Sequence, residues 1–206
     1  MIVLEPLLAP FLNNPLSADQ LHKLQTHFDL LLKWNAKVSL TAIRDPQEIV
    51  RRHFGESLFT GDRLETKPQT RLADLGSGAG FPGLPIAVLH PEINVTLIES
   101  QQKKVAFLRE VIRSAQIGNA SVYAGRAEES KSKSQIVTMR AVEKFESALP
   151  IAASMLEPEG ELALLIGAAQ VQTARAKLKG FEWKEPVSIP ESRERVLLVG
   201  RITSTT

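Results

Sequence analysis

The stretch LADLGSGAGFPG, residues 72–83, decides the fold. A short apolar run ends in an acid, Asp74, and four glycines follow: Gly76, Gly78, Gly80 and Gly83. Glycines directly after a strand let the backbone turn sharply and come close to a ligand or to a packed helix. RLADL (71–75) therefore reads as a buried strand, and Pro82 to Leu89 as the helix after it, stopping before His90-Pro91.

Downstream of this stretch, strands alternate with helices. NVTLIES (94–100) is a second strand, and 101–115 a helix with Val105, Leu108, Ile112 and Ala115 on one face. Gly118-Asn119 makes a turn, ASVYA (120–124) a third strand and QIVTMRA (135–141) a fourth. A helix over about 144–156, a turn at EPEG (157–160) and a fifth strand at ELALLIG follow, then a helix from about 168 to Gly180. VSIP, ESRE and RVLLVGRI close the chain as strand, turn and strand. This order predicts an α/β fold: a mostly parallel sheet covered on both faces, with an antiparallel edge.

Upstream, residues 1–65 read as helical. Ser17 and Gln20 have capping-box spacing, and Leu21, Leu24, Phe28 and Leu31 form one apolar face up to KWN. Asp45-Pro46 starts another helix, continued by Ile49, Val50, Phe54 and Leu58. ETKPQT (65–70) is polar and holds a proline, so the predicted division is a helical region over 1–65 and an α/β domain over 66–206.

Composition narrows the function. The chain has 206 residues, 43% of them hydrophobic, which suits one α/β domain with a small appendage. It has no cysteine, which excludes disulfides, thiolate metal sites and cysteine nucleophiles. The formal charge of +2 permits a nucleic-acid partner without demanding one. The N-terminal MIVLEPLLAPFLNN lacks a basic start and carries Glu5, Pro6 and Pro10, so it does not read as a signal peptide. The apolar run LALLIGAA is too short to span a membrane. A cytoplasmic protein is expected, monomeric because no long unexplained apolar face stands out. His22, His27 and His90 show no ligand spacing, so no metal is expected.

Three ligands compete for the glycine loop. A Walker A phosphate loop fails, since Leu84 and Pro85 follow Gly83. Gly78, Gly80 and Gly83 match G-x-G-x-x-G, but Pro82 removes an N–H from the first helical turn. Asp74 at the strand end would also repel a pyrophosphate. The third reading is D-x-G-x-G, here Asp74, Gly76 and Gly78, with Glu99 at the end of the second strand to accept ribose hydroxyls. An acid-lined nucleoside site suits a sulfonium, and S-adenosylmethionine is the expected cofactor.

LADLGSGAGFPGLPIAVLHPEINVTLIESQQKKVAFLREV closely resembles the core of the bacterial 16S ribosomal RNA guanine-N7 methyltransferases, also called glucose-inhibited division protein B. LLKWNAKVSLTAIRDPQEIVRRHFGES, AGRAEES and VTMRAVE resemble further segments of that family, in the same order. The resemblance implies a Rossmann-like, seven-stranded, S-adenosylmethionine-dependent methyltransferase sheet with an N-terminal helical region. It implies methylation of N7 of one guanine in 16S rRNA, near the decoding centre. By position, Gly76 and Phe81 would line the cofactor site, Glu99 would hold the ribose, and Ala127 and Glu128 would meet the adenine. Arg140 would contact the cofactor site and the reaction centre. The chain departs from the family at Ile166, where the pattern has lysine before Gly167, and mildly at Ala79 and Glu99.

The chemistry agrees with the composition. Guanine N7 carries an in-plane lone pair and no proton, so its methylation needs positioning rather than a general base. Arg140 and Arg126 are the candidate catalytic, positioning residues, contacting guanine through O6 or phosphate. Arg126, Lys103, Lys104, Arg51 and Arg52 are the candidate RNA contacts; Arg51, Arg52 and His53 read as one basic group, and Lys131 and Lys133 lie in a polar loop beyond Glu128 that could also neutralise phosphates. Trp34 ends an amphipathic helix, where core packing is expected over base stacking. Competing readings are a small-molecule or protein methyltransferase on the same fold, a nicotinamide-dependent oxidoreductase, and a non-catalytic RNA-binding assembly factor.

Overall fold

The computed structural model describes residues 2–141 and 144–203. Short helix α1 (Glu5–Leu8) and long helix α2 (Ala18–Asn35) come first. Ser17 caps α2 through the predicted box: its hydroxyl accepts from Gln20 N, and the Gln20 side chain accepts from Ser17 N. Asp45 caps α3 (Pro46–Ile49) by accepting from Glu48 N. A π-helical turn over Val50–Gly55 then leads into α4 (Glu56–Gly61).

The sheet begins with β1 (Arg71–Leu75), followed by α5 (Gly83–Leu89), β2 (Asn94–Glu99), α6 (Gln102–Ser114), β3 (Ala120–Ala124) and β4 (Ser134–Arg140). Helix α7 (Phe145–Ser154), β5 (Leu156–Gly167), α8 (Val171–Lys177), β6 (Phe181–Trp183), β7 (Val187–Ser188) and β8 (Arg195–Ile202) complete it. The strand order is β3-β2-β1-β4-β5-β8-β6. The first five are mutually parallel, and β8 runs antiparallel to β5, β6 and β7. Chain order reverses between β1 and β4, which opens a crevice at the carboxyl ends of the strands.

Alternation along the strands builds two cores. Leu72, Val95, Leu97, Ile136 and Leu165 face the helices of the N-terminal half and pack with Leu24, Phe28, Phe54, Leu58, Leu84 and Phe107. Ala73, Leu75, Val137, Met139 and Leu164 face the other way, onto Leu149, Ala152 and Ala174 of α7 and α8. The first core runs without a break from Leu4 to Val199, across the polar segment 65–70.

Two local features differ from what the sequence pattern predicts. EPEG does not separate elements: it is a register shift inside β5, where Leu156 pairs Ser134 and Glu161 pairs Ile136. The turn chemistry is present, with Glu159 at φ 61. Strand β6 has no sequence signal beyond Phe181 and Trp183, because pairing with β8 creates it. The terminal pair β7 and β8 forms the expected antiparallel edge region, with β5 on one side of β8 and β6 and β7 on the other. Among the described residues the sheet thus holds the expected seven strands along one path plus the two-residue β7.

Gly83 shows how tightly the loop packs on the sheet. A Cβ there would lie 2.4 Å from Leu97 Cδ2 and 2.9 Å from Asp74 Cβ. Gly83→Ala is expected to lower unfolding free energy by about 1–3 kcal/mol through overpacking. Chemical denaturation checks it, and wild-type stability in that variant would contradict the close helix–strand contact.

Candidate functional site

Asp74, the penultimate residue of β1, has no exposed surface. Its Oδ2 accepts from Gly83 N at 3.1 Å and its Oδ1 from Thr138 Oγ1 of β4 at 2.9 Å. Burial pushes its pKa up to about 6, while these hydrogen bonds pull it back. Both oxygens serve the protein, and Asp74 does not line the cavity described below. The expected direct cofactor contact is therefore replaced by a structural one: the acid ties loop, β1 and β4 together.

Most of the loop's N–H groups are already engaged, by the loop itself and by the end of β2. Gly76 N and Ser77 N donate to Ile98 O, Gly78 N to Glu99 Oε2, Gly80 N and Phe81 N to Ser77 O, and Leu84 N to Gly80 O. Gly76, Gly78 and Gly80 have φ of 69, 56 and 91°, values that favour glycine. With these N–H groups occupied, the loop offers a pyrophosphate little of the cradle that phosphate sites use.

A cavity of about 250 Å³ opens beside the loop at the carboxyl ends of β1, β2 and β3. Gly76, Glu99, Arg126, Ala127 and Glu128 all line it, so the structure brings these five sequence candidates together. Ile98, Ser100, Lys144 and Ile151 join them, and the sequence carried no motif for these four. Glu99 is buried, with Oε2 accepting from Gly78 N at 3.0 Å and Oε1 from Gln101 N at 2.8 Å. Each carboxylate oxygen retains acceptor capacity for a ribose hydroxyl. Apolar Ile98, Ala127 and Ile151 supply a surface for a purine. The donor set fits an adenosyl group, and the volume sits just below the roughly 300–1,000 Å³ of whole-ligand pockets.

Phe81 and Arg140 stand outside this cavity, contrary to expectation. Phe81 is stacked between two histidine rings, His27 and His53, each 4.9 Å away, with Phe54 edge-on. His27 Nε2 donates to Ala79 O at 2.9 Å, so α2 grips the glycine loop directly. Arg140, at the end of β4, turns toward the π-helical turn instead. Its guanidinium donates to His53 Nδ1 at 2.9 Å, Arg52 O at 2.8 Å and Glu56 Oε2 at 3.1 Å. Glu56 Oε2 also accepts from Arg195 Nε at 2.9 Å. Burial pulls the Arg140 pKa down to about 10, and Glu56 opposes that pull. His53 is not part of a basic group: burial, then Arg140, hold its pKa far below the ordinary histidine value.

A family model described as rRNA small subunit methyltransferase G matches residues 20–196. The chain belongs to this family. A relative named Ribosomal RNA small subunit methyltransferase G from Xanthomonas campestris pv. campestris is 35% identical over 179 residues, 85% of this chain and 83% of that one. Its namesake from Roseiflexus castenholzii is 40% identical, covering 82% and 77%. The Lachnoclostridium phytofermentans namesake is 38% identical over 66% of this chain, which spans 59% of that relative. Among solved structures, a SAM dependent methyltransferase from Aquifex aeolicus superposes with TM-score 0.64 at 13% identity, covering 80% of this chain and 97% of that one. A Methanococcus jannaschii fibrillarin pre-rRNA processing protein gives 0.59 at 18%, covering 73% and 74%. These likenesses establish the Rossmann-like methyltransferase fold.

The segment matched by the family model contains every candidate residue from Arg51 to Arg140. The basic candidates fall in two places. Lys103 and Lys104 lie in the first turn of α6, shortly after Glu99, and Lys103 is exposed. Arg51 and Arg52 line a second cavity of about 500 Å³ with Arg193 and Arg195. There Arg51 pairs with Glu191 at 3.0 Å and Arg52 with Glu48 at 3.2 Å. Lys131 and Lys133 are exposed. Ile166 is buried in the second core, so that position presents no group to solvent. Trp34 is half-buried, edge-on to Phe107, and donates to Glu110 Oε2 at 3.0 Å. Among the described residues no helix is long and apolar enough to cross a membrane.

His27 makes the clamp on the loop pH-sensitive. Burial lowers its pKa to about 4, so the folded protein keeps it neutral where the unfolded chain, at about 6.5, binds a proton. Stability is lost as pH falls from about 6.5 toward 4. His27→Gln keeps a donor for Ala79 O and removes the titration. Between pH 6 and 4.5 its stability is expected to fall less steeply than wild type, by up to about 1.4 kcal/mol per pH unit. Equal slopes in pH-dependent denaturation would show that His27 charges inside the fold.

Proposed function

We propose that this protein transfers the methyl group of S-adenosylmethionine to N7 of one guanine of 16S rRNA, near the decoding centre of the small ribosomal subunit. The observation that carries the cofactor assignment is the glycine loop with most of its N–H groups engaged, beside a cavity into which buried Glu99 brings free acceptor capacity. Glu99 suits a ribose, and the engaged loop N–H groups leave little of the cradle that a pyrophosphate uses. Family membership supports the rRNA substrate.

In this reading Glu99 binds the ribose hydroxyls, and Ala127 and Glu128 meet the adenine. Gly76 lets the backbone run close to the ligand, and Gly78 supports Glu99 from the loop. Bound S-adenosylmethionine supplies an electrophilic methyl on sulfur. No residue has to remove a proton, since N7 attacks with its own lone pair; in-line positioning and exclusion of water carry the rate. Arg126, at the cavity rim, and Arg140, at the adjacent strand end, orient the guanine through O6 or phosphate. Lys103, Lys104, Arg51 and Arg52 meet RNA phosphates. Residues 1–65 act as a helical region over one sheet face, and 66–206 as the cofactor-binding domain. The protein works in the cytoplasm, as a monomer and without a metal. Its exposed large hydrophobics among the described residues, Val3, Leu32 and Val187, sit on three separate segments.

Calorimetry tests the cofactor assignment. S-adenosylmethionine is expected to bind and NAD not to bind. Glu99→Ala should weaken S-adenosylmethionine by about 10–100-fold, the worth of hydrogen bonds to a charged acceptor. NAD binding, or unchanged affinity in Glu99→Ala, would contradict the reading. Binding of 16S rRNA should weaken steeply with salt, with a log–log slope of roughly −0.7 to −0.9 per phosphate contact. A flat salt response would remove the basic residues from the interface.

A further inference from the structure

The polar chain that passes through Arg140 is not explained by cofactor binding. It runs from Thr41 through His53 and Arg140 to Glu56 and Arg195. Directions along it are fixed by chemistry. A guanidinium only donates, so His53 Nδ1 accepts from Arg140 Nη1 at 2.9 Å. The imidazole proton then sits on Nε2, which faces Thr41 Oγ1 at 2.7 Å. At the other end one carboxylate oxygen of Glu56, a side chain 2% exposed, receives both Arg140 and Arg195. Arg140 therefore has its two terminal nitrogens pinned to three acceptors, two of them side chains from the helical region.

One further contact gives the chain a purpose. The His53 ring stacks on Phe81 at 4.9 Å and 19°. Phe81 belongs to the glycine loop. The loop beside the cofactor cavity thus sets the plane of His53, and His53 sets one arm of Arg140. The π-helical turn makes this possible: Glu56 N donates to Arg51 O, five residues back, and the wide turn lets His53 and Glu56 both face the strand ends.

We propose that His53 and Glu56 are positioning residues for Arg140, a relay that couples the seating of the glycine loop to the orientation of the arginine, with the His53 imidazole neutral and protonated on Nε2. The consequence for turnover rests on the reading that places Arg140 at the reaction centre. The tautomer and the coupling to Phe81 do not rest on it.

Long-range ¹H–¹⁵N spectra of histidine-labelled protein read the tautomer. The expected result is an Nε2–H imidazole with an unprotonated Nδ1. An Nδ1–H tautomer or an imidazolium would overturn the relay. Steady-state kinetics on small subunits read its effect. His53→Leu and Glu56→Gln are expected to lower kcat by about 10–100-fold, the scale of a small misplacement of a positioning group. S-adenosylmethionine affinity should stay within about twofold of wild type, since neither side chain lines that cavity. His53→Asn restores an acceptor near the Nδ1 position and should recover most of the loss, a rescue that simple packing would not give. Wild-type kcat in His53→Leu, or a parallel fall of kcat and cofactor affinity, would overturn the proposal. Should Glu56→Gln fail to fold, Thr41→Val leaves the charges in place and is expected to reduce kcat while keeping cofactor affinity; an unchanged kcat there counts against the relay. Normal turnover in Arg140→Ala would instead remove Arg140 from the reaction, and with it the catalytic part of the proposal, while the tautomer result would stand.

Discussion

The buried carboxylate of Asp74 is the constraint on which the site depends. It stands at the centre of the sheet, fully covered, and accepts from the loop at Gly83 and from the neighbouring strand at Thr138. A buried carboxylate is costly without partners, so its two hydrogen bonds fix where the loop and β4 can lie. From that anchor follow the three positive-φ glycines, the close seat of α5 on β1, and the exit of β4 toward Arg140.

The helical region completes what the sheet begins. His27 holds the carbonyl of Ala79, and His27 and His53 enclose Phe81 from opposite directions. The loop is thereby gripped from the sheet side by Asp74 and from the helix side by two neutral histidines. A rigid loop suits a reaction whose rate comes from geometry. Where the nucleophile brings its own lone pair, an enzyme gains by holding atoms in line, not by moving protons. The absence of cysteine from the sequence and the lowered pKa of buried His27 and half-buried His53 agree with such chemistry.

Much of this was legible in the sequence, for identifiable reasons. The capping box at Ser17, the glycine loop, and Glu99 at the end of β2 all depend on residues close together or on strand-end placement, which local patterns report. RVLLVGRI reads as a strand because alternation and β-branched content are strong over its whole length. Strand β6 was hidden because three residues carry no period, and only β8 makes them a strand. Glu56 was hidden in a different way. It looks like an ordinary acid near the start of a helix, but its partners Arg140 and Arg195 lie 84 and 139 residues further on. The resemblance put Phe81 in the cofactor lining and Arg140 at the end of the fourth strand; the contacts of both are with the helical region, which no local motif encodes.

The central claim is methyl transfer to guanine N7 of small-subunit rRNA, and one measurement addresses it most directly. Small ribosomal subunits lacking the modification are incubated with the protein and methyl-labelled S-adenosylmethionine, and N7-methylguanine is located by chemical strand cleavage. The account predicts label in 16S rRNA and a single cleavage, at one guanine near the decoding centre. Label at another atom, or no label in RNA while the cofactor binds, would contradict it.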